Sequence, residues 1–138
     1  MKALKVVGGV VVLLVVVVAV LAFTMPTHVS VTRSTKIDAP ADYVMKHVNN
    51  FAQINAWSPW MDKDPEMTSS IEGEDGQVGT VYSWSGNEDV GKGEQTLTEI
   101  SDGKVVSHLH FITPFEGEAN ATTTFSEVDG MTEVSWAY

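Results

Sequence analysis

Two histidines separated by one residue are the first candidates for chemistry in this sequence. His108 and His110 would project to the same side of an extended strand, as a two-histidine metal site requires. The chain contains no cysteine, and no third ligand clearly faces the pair. We therefore interpret both histidines as solvent-exposed, and we predict neither a metal site nor a cofactor.

Alternating carboxylates are the second candidate. Asp62, Asp64 and Glu66 resemble part of a calcium-binding loop, but the glycine and the closing bidentate glutamate of such a loop are absent. We interpret this segment as a solvated acidic turn. The segment Gly91–Glu94 lacks the spacing of a phosphate-binding loop and precedes a strand instead of a helix, so it is predicted to be a hairpin turn.

Catalytic residues are not evident. The sequence has no Gly-x-Ser-x-Gly motif and no thiol, which leaves nucleophilic hydrolysis with little support. Proton transfer would need Tyr82, Glu94 or a histidine inside a cavity and beside a second titratable group. We assign no catalytic residue and regard the chain as more consistent with a binding protein than with an enzyme.

The N-terminal segment is strongly apolar. Val6 to Phe23 is a run of eighteen residues without a charged or hydrogen-bonding side chain. As a helix the run would span about 27 Å, close to the roughly 30 Å hydrocarbon core of a bilayer. We predict a transmembrane anchor over residues 1–25 and a linker over residues 26–28.

A cleaved signal peptide is the alternative interpretation. The run is longer than a usual signal-peptide core, and Val20–Ala22 matches the cleavage pattern poorly, so an uncleaved anchor is favoured. Lys2 and Lys5 precede the run. They favour a single-pass protein with a cytoplasmic N-terminus and an extracytoplasmic domain.

The rest of the chain is acidic. Residues 24–138 carry six Lys or Arg against eighteen Asp or Glu, and none of the six cations are adjacent. Phosphate binding needs clustered cations, so a nucleic-acid partner is excluded. The same charge would repel an anionic membrane surface, which leaves the anchor as the means of membrane attachment.

Residues 29–138 are predicted to form one domain of strands and short helices. Alternation predicts a first strand within His28–Asp38, and Asp38 and Pro40 favour the start of a helix. A second short helix follows through Trp57, and Ser58-Pro59 is expected to stop it. Gly and Asp turns then separate six strands: Met67–Glu72, Thr80–Ser85, Gly93–Ile100, Lys104–Ile112, Glu118–Glu127 and Thr132–Tyr138.

Several segments carry a family resemblance. They are IDAPADYV, WSPWMDKDPE, VGTVYSWSGNEDVGKGEQTLTEI, FITPFEGEANATTTF and EVSWAY. Together they resemble the polyketide cyclase/dehydrase and lipid-transport branch of the START-like (SRPBCC, Bet v 1-like) superfamily, especially its membrane-anchored bacterial members. The resemblance implies an α+β helix-grip fold, in which a curved seven-stranded antiparallel sheet wraps around a long C-terminal helix. That helix is missing here, so we expect the domain to be incomplete.

Side-chain parity predicts an apolar inner face for this sheet. Val105, Leu109 and Phe111 share one face of their strand. By the same alternation, the inner face of the next two strands carries Ala119, Ala121, Thr123 and Phe125, and then Val134, Trp136 and Tyr138. A concave face of this composition suits an apolar or weakly polar small molecule. The predicted ligand-binding residues are Trp57, Trp60, Tyr82, Trp84, Leu97, Leu109, Phe111, Phe125 and Trp136.

Three functions remain open from the sequence. The first is membrane-tethered binding of a hydrophobic small molecule or lipid. The second, which the resemblance permits, is a polyketide cyclase- or dehydratase-like enzyme. The third is a protein-interaction or chaperone-activator-type module, which a solvent-facing apolar patch would favour.

Overall fold

The computed structural model describes residues 2–24 and 30–138, without the side chains of residues 2–7, 10 and 12. The chain divides into two compact units, Met1–Ser30 and Val31–Tyr138. The predicted linker over residues 26–28 and the predicted start of the first strand lie outside the described residues.

The described part of the first unit is the helix α1, over Lys2–Thr24. Near its end the Thr24 hydroxyl donates a hydrogen bond to the Val20 carbonyl oxygen at 2.9 Å, which satisfies one of the carbonyl groups of the last turns. In the part of the chain that the structure describes, no helix is both long enough and apolar enough to cross a membrane.

The second unit is built on a curved, seven-stranded antiparallel sheet, as predicted. The sheet order is β1-β7-β6-β5-β4-β3-β2, so β2 to β7 form a meander and β1 pairs with the last strand. Consecutive strands become neighbours because short turns connect them. The strands are β1 Thr32–Ile37, β2 Thr68–Glu72, β3 Val81–Ser85, β4 Lys92–Ser101, β5 Lys104–Thr113, β6 Gly117–Val128 and β7 Met131–Ala137.

The Asp-Gly hairpins are confirmed. Asp129 and Gly130 have φ values of 56° and 75°, the two left-handed positions of a type I′ turn between β6 and β7. Gly103, with φ 71°, turns the chain between β4 and β5. The Asp129-Gly130 turn is followed by an unbroken register between β6 and β7, whereas the register between β4 and β5 shifts by one residue between Leu97 and Glu99. These registers decide which side chains share a face.

Three short helices, instead of the predicted two, follow β1. They are α2 Ala41–Lys46, α3 Phe51–Asn55 and α4 Pro59–Lys63. The expectation that Ser58-Pro59 only stops a helix was wrong, because Pro59 itself begins α4, where its fixed φ suits the first helical position.

Capping of the helices also differs from prediction. Asp38 does not cap α2, whose N-cap residue is Pro40, without a side-chain hydrogen bond. The N-terminus of α3 has a local cap, because the Asn50 side chain accepts a hydrogen bond from the Gln53 amide at 2.9 Å. It also has a distant one, because the Asp75 carboxylate accepts hydrogen bonds from the Phe51 and Ala52 amides at 2.8 and 3.0 Å. This contact fixes α3 against the loop that precedes β3.

The core lies between α2, α3 and one face of the sheet. Its buried apolar residues are Val44, Phe51, Tyr82, Leu97, Val105 and Phe125. The predicted parity of β5 and β6 is confirmed, since Val105, Ala121, Thr123 and Phe125 are all buried. The polar face of β5, which carries His108 and His110, is turned the other way.

Candidate ligand-binding groove

The inner face of the sheet is only partly filled and leaves an open groove. The groove has a volume of about 570 Å³, within the range of about 300–1,000 Å³ that is usual for small-molecule sites. Most of its lining residues are apolar or aromatic. They are Phe51, Ile54, Asn55, Ser58, Trp60, Met67, Tyr82, Trp84, Glu88, Asp89, Val90, Gln95, Leu109, Phe111, Thr113, Pro114, Phe115, Trp136 and Tyr138.

A row of four aromatic rings forms one side of the groove. Phe51 stacks on Tyr82 with ring centroids 5.3 Å apart, and Tyr82 stacks on Trp84 at 6.0 Å. Phe111 then meets Trp84 edge-on at 6.1 Å. Such contacts stabilise aromatic pairs beyond simple burial of area. The row therefore gives the groove a rigid apolar wall.

The position of Trp84 depends on a glycine in the neighbouring strand. Gly93 of β4 pairs in register with Trp84 on one side and with Phe111 on the other. Because Gly93 has no side chain, the indole of Trp84 reaches across β4 to the ring of Phe111. The absence of a side chain at Gly93 thus allows residues of β3 and β5 to form one continuous surface.

The opposite side of the groove is more exposed. Trp136 and Tyr138 stack with ring centroids 5.4 Å apart and an interplanar angle of 6°. Both side chains remain exposed, as do Trp60 and Phe115 at the mouth. These residues line the groove itself, so the exposed aromatic surface is continuous with the groove.

The loop between β3 and β4 forms part of the rim and is held by a buried carboxylate. Asp64 is only 8% exposed, and its Oδ2 atom accepts a hydrogen bond from the Asn87 amide at 2.6 Å. Its Oδ1 atom accepts one from the Glu66 amide at 3.1 Å. The interpretation of Asp62 to Glu66 as a fully solvated turn was therefore wrong for Asp64, whose contacts position the loop that carries Glu88 and Asp89.

Three polar side chains lie among the sheet residues of the groove, on Tyr82 of β3, Gln95 of β4 and Thr113 at the end of β5. Tyr82 of β3 and Gln95 of β4 are register partners, and both line the groove. At the rim the lining includes the carboxylates of Glu88 and Asp89. Among the described residues that line the groove there is no Lys, Arg or His, so its polar groups are neutral or acidic.

Most of the predicted ligand-binding residues meet at this groove. Trp60, Tyr82, Trp84, Leu109, Phe111 and Trp136 line it. Leu97 and Phe125 do not, because they are buried in the core beneath the helices. Trp57 follows the end of α3, is 59% exposed and is not among the lining residues, so its placement in the cavity is corrected.

Sequence reasoning missed several lining residues. Gln95 has the same parity as Leu97 and could have been found by the parity rule, but the rule was applied to β5, β6 and β7 and not to β4. Phe51 was not among the predicted ligand-binding residues, although its ring ends the aromatic row. Phe115 lies in a turn, where no periodicity identifies an inward face.

Of the candidates for proton transfer, Tyr82 lines the groove. Glu94 and His110 pair with each other in register on the opposite face of the sheet, and neither is a lining residue. The His108 ring nitrogen Nδ1 is 3.1 Å from Asn120 Oδ1. Within residues 2–24 and 30–138, no group of three or more His, Asp or Glu side chains could hold a metal ion.

Three solved structures resemble this chain at low sequence identity. Ara h 8.0201 has a TM-score of 0.56 and 12% identity over 79% of this chain and 73% of that chain. Protein Ms6760 from Mycobacterium smegmatis has a TM-score of 0.55 and 19% identity over 78% and 69%. The Aha1 dimer from Colwellia psychrerythraea has a TM-score of 0.58 and 16% identity over 80% and 75%.

These likenesses show the fold alone, which is a Bet v 1-like helix-grip fold. No family profile and no curated protein matches the sequence. The fold agrees with the resemblance found in the sequence, and the narrower branch remains a prediction.

Proposed function

We propose that this protein binds a hydrophobic small molecule or lipid in the groove. The observation that carries the proposal is the unfilled space of about 570 Å³ beside the row from Phe51 to Phe111. An apolar face left open to water is unfavourable by roughly 25 cal/mol per Å². A ligand that covers about 200 Å² of it would gain about 5 kcal/mol before the costs of binding.

We further propose that the N-terminal segment holds the groove beside a bilayer. The support is the eighteen-residue apolar run from Val6 to Phe23, with Lys2 and Lys5 before it. The strongly acidic remainder gives no second means of attachment to an anionic surface. In this arrangement a lipophilic ligand could move between the membrane and the groove without crossing much water, and the groove lies on the extracytoplasmic side.

Substitution of two tryptophans, one inside and one outside the groove lining, provides a matched test of ligand binding. Trp60 is 53% exposed and lines the groove, whereas Trp57 is 59% exposed and lies outside the lining. The full chain in lipid nanodiscs is titrated with the neutral fluorophore N-phenyl-1-naphthylamine, and energy transfer from tryptophan reports binding. Trp60→Ala should weaken binding about threefold to tenfold, whereas Trp57→Ala, which removes the same number of donors, should not.

Equal effects of the two substitutions would contradict binding in this groove. An absence of saturable energy transfer in the unsubstituted protein would reject the proposed function altogether.

A further inference from the structure

The sheet surface of the groove contains one pair of facing polar side chains. Tyr82 on β3 and Gln95 on β4 are directly opposite each other in an antiparallel ladder. Directly opposed residues have β-carbons about 4.5–5.5 Å apart, so one ligand group could touch both side chains. Leu109 on β5 is the register partner of Gln95 on its other side, which makes the surroundings of the pair apolar.

Neither side chain has its hydrogen-bonding groups satisfied by the described residues of the chain. In the described part of the chain, no residue forms a hydrogen bond with the Tyr82 hydroxyl or the Gln95 amide. No side-chain polar atom there is both fully buried and unpaired. The Tyr82 hydroxyl must therefore be reachable from outside, although the residue as a whole is only 8% exposed. The open side of Tyr82 is the groove that it lines.

The charges around the groove oppose an anionic ligand. Glu88 and Asp89 lie on the rim, and no cationic side chain is present among the described lining residues. One cation lies beside a lining residue: Lys63 Nζ is 5.7 Å from the centroid of the Trp60 ring. Lys63 itself is exposed and does not line the groove. A buried carboxylate without a charged partner is strongly unfavourable.

We propose that the groove selects uncharged lipophiles that carry a hydroxyl or carbonyl group, which Tyr82 and Gln95 bind, and that it rejects fatty-acid carboxylates. Tyr82 offers one donor and an acceptor, and Gln95 offers two donors and an acceptor, so an alcohol can both donate to and accept from the pair. A carbonyl can accept from both. This inference rests on the proposed function, because it specifies the chemistry of the ligand in that same groove.

Three ligands of equal chain length test the selectivity. Dodecanol, dodecanoate and dodecane each compete with the neutral fluorophore for the full chain in nanodiscs, at equal mole fractions in the bilayer. At about pH 8 the fatty acid in water is a carboxylate. Dodecanol should compete about tenfold or more better than dodecanoate and about threefold to tenfold better than dodecane.

Two substitutions test the residues separately. Gln95→Leu and Tyr82→Phe each remove the polar group and keep the approximate size of the side chain. Each substitution should weaken the binding of dodecanol about threefold to tenfold and should leave the binding of dodecane unchanged or make it tighter. Gln77→Leu is the control, because Gln77 is exposed in a loop away from the groove and its substitution should change neither ligand.

The outcomes separate this inference from the proposed function. If dodecanoate competes as well as dodecanol, the selectivity against charge is wrong. If Gln95→Leu and Tyr82→Phe weaken the binding of dodecane as much as that of dodecanol, or weaken the binding of neither, the polar pair does not bind the ligand. If neither the fluorophore nor dodecane binds to the unsubstituted chain, the proposed function itself fails.

Discussion

The indole ring of Trp84 lies directly over the backbone of Gly93. A β-carbon built on Gly93 would be 2.5 Å from the ring of Trp84 and 2.7 Å from the His110 carbonyl oxygen. The indole could move aside, but the carbonyl belongs to the neighbouring strand β5 and cannot. Even a methyl group at this position would therefore disturb both the sheet and the aromatic row.

We expect Gly93→Ala to destabilise the protein by about 1–3 kcal/mol, because overpacking forces shifts of backbone and side chains. Thermal unfolding of the full chain, followed by near-ultraviolet circular dichroism, measures this loss. The displaced indole should also weaken binding of the fluorophore. Gly117→Ala is the control: Gly117 is also a strand residue, but a β-carbon there would meet nothing within 4 Å. If both substitutions have the same effect, the contact with Trp84 is not important.

Asp64 is expected to hold the rim of the groove in place. It receives amide hydrogen bonds from Asn87 and Glu66, and it also leaves little space beside Gly86, where a β-carbon would lie 2.7 Å from Oδ2. Asp64→Ala would leave the Asn87 amide without its partner, at a cost of about 1–3 kcal/mol. Amide hydrogen exchange should accelerate at Asn87 and across the loop to Val90.

Asp62→Ala provides the comparison for Asp64→Ala. Asp62 has the same charge, lies two residues earlier in α4 and is exposed. This substitution should change stability by less than about 0.5 kcal/mol. Unchanged exchange at Asn87 in Asp64→Ala would contradict the role given to the buried carboxylate.

The local features of the fold could be predicted from the sequence, whereas the contacts between distant segments could not. Alternation and Asp-Gly turns identify strands and hairpins because both act over a few residues. Parity then placed Leu109, Phe111 and Trp136 on the groove face, where the structure has them. The aromatic row was not predictable, because it requires the register of β3, β4 and β5 at Gly93.

Asp64 and Trp57 illustrate the same limit. Asp64 binds an amide 23 residues further along the chain, and no spacing within its own segment indicates that partner. Trp57 follows the apolar spacing of α3, yet the turn after Asn55 leaves it exposed. Periodicity identifies an apolar face, but the place where a short helix ends decides whether the next residue remains on that face.

Glu99 should make the hairpin between β4 and β5 sensitive to pH. Its carboxylate accepts hydrogen bonds from Lys104 Nζ at 2.9 Å and from the Ser101 hydroxyl at 3.0 Å, and these bonds lower the pKa of Glu99 below its ordinary value. Because the folded-state pKa is the lower one, the stabilisation is present above the unfolded-state pKa. It is lost as the pH falls through the folded-state pKa.

An NMR titration of the Glu99 side-chain carboxyl should therefore give a lowered pKa, which Lys104→Met moves back towards the ordinary range. Glu99→Gln should lower the unfolding temperature slightly at neutral pH and have no effect once the carboxylate of the unsubstituted protein is protonated. The group is exposed, so added salt should reduce the difference. An effect of Glu99→Gln that is equal at acidic and neutral pH would exclude the ion pair as its cause.

The proposed anchor can be tested by the cost of placing charges within it. The full chain, expressed in a bacterial host, should remain in the membrane fraction after alkaline carbonate washing, with an intact mass that includes Lys2. Substitution of both Leu14 and Val15 by Asp places two charges near the middle of the run, at about 5–7 kcal/mol for insertion, and should release the protein. Val78→Asp makes the same kind of change at an exposed position in the other unit and should leave the protein in the membrane fraction.

A mass that lacks residues up to about Ala22 would favour the signal-peptide alternative, because cleavage there removes the apolar run. Release of the intact, unsubstituted chain by carbonate would reject membrane insertion, and the groove would then have to take its ligand from water.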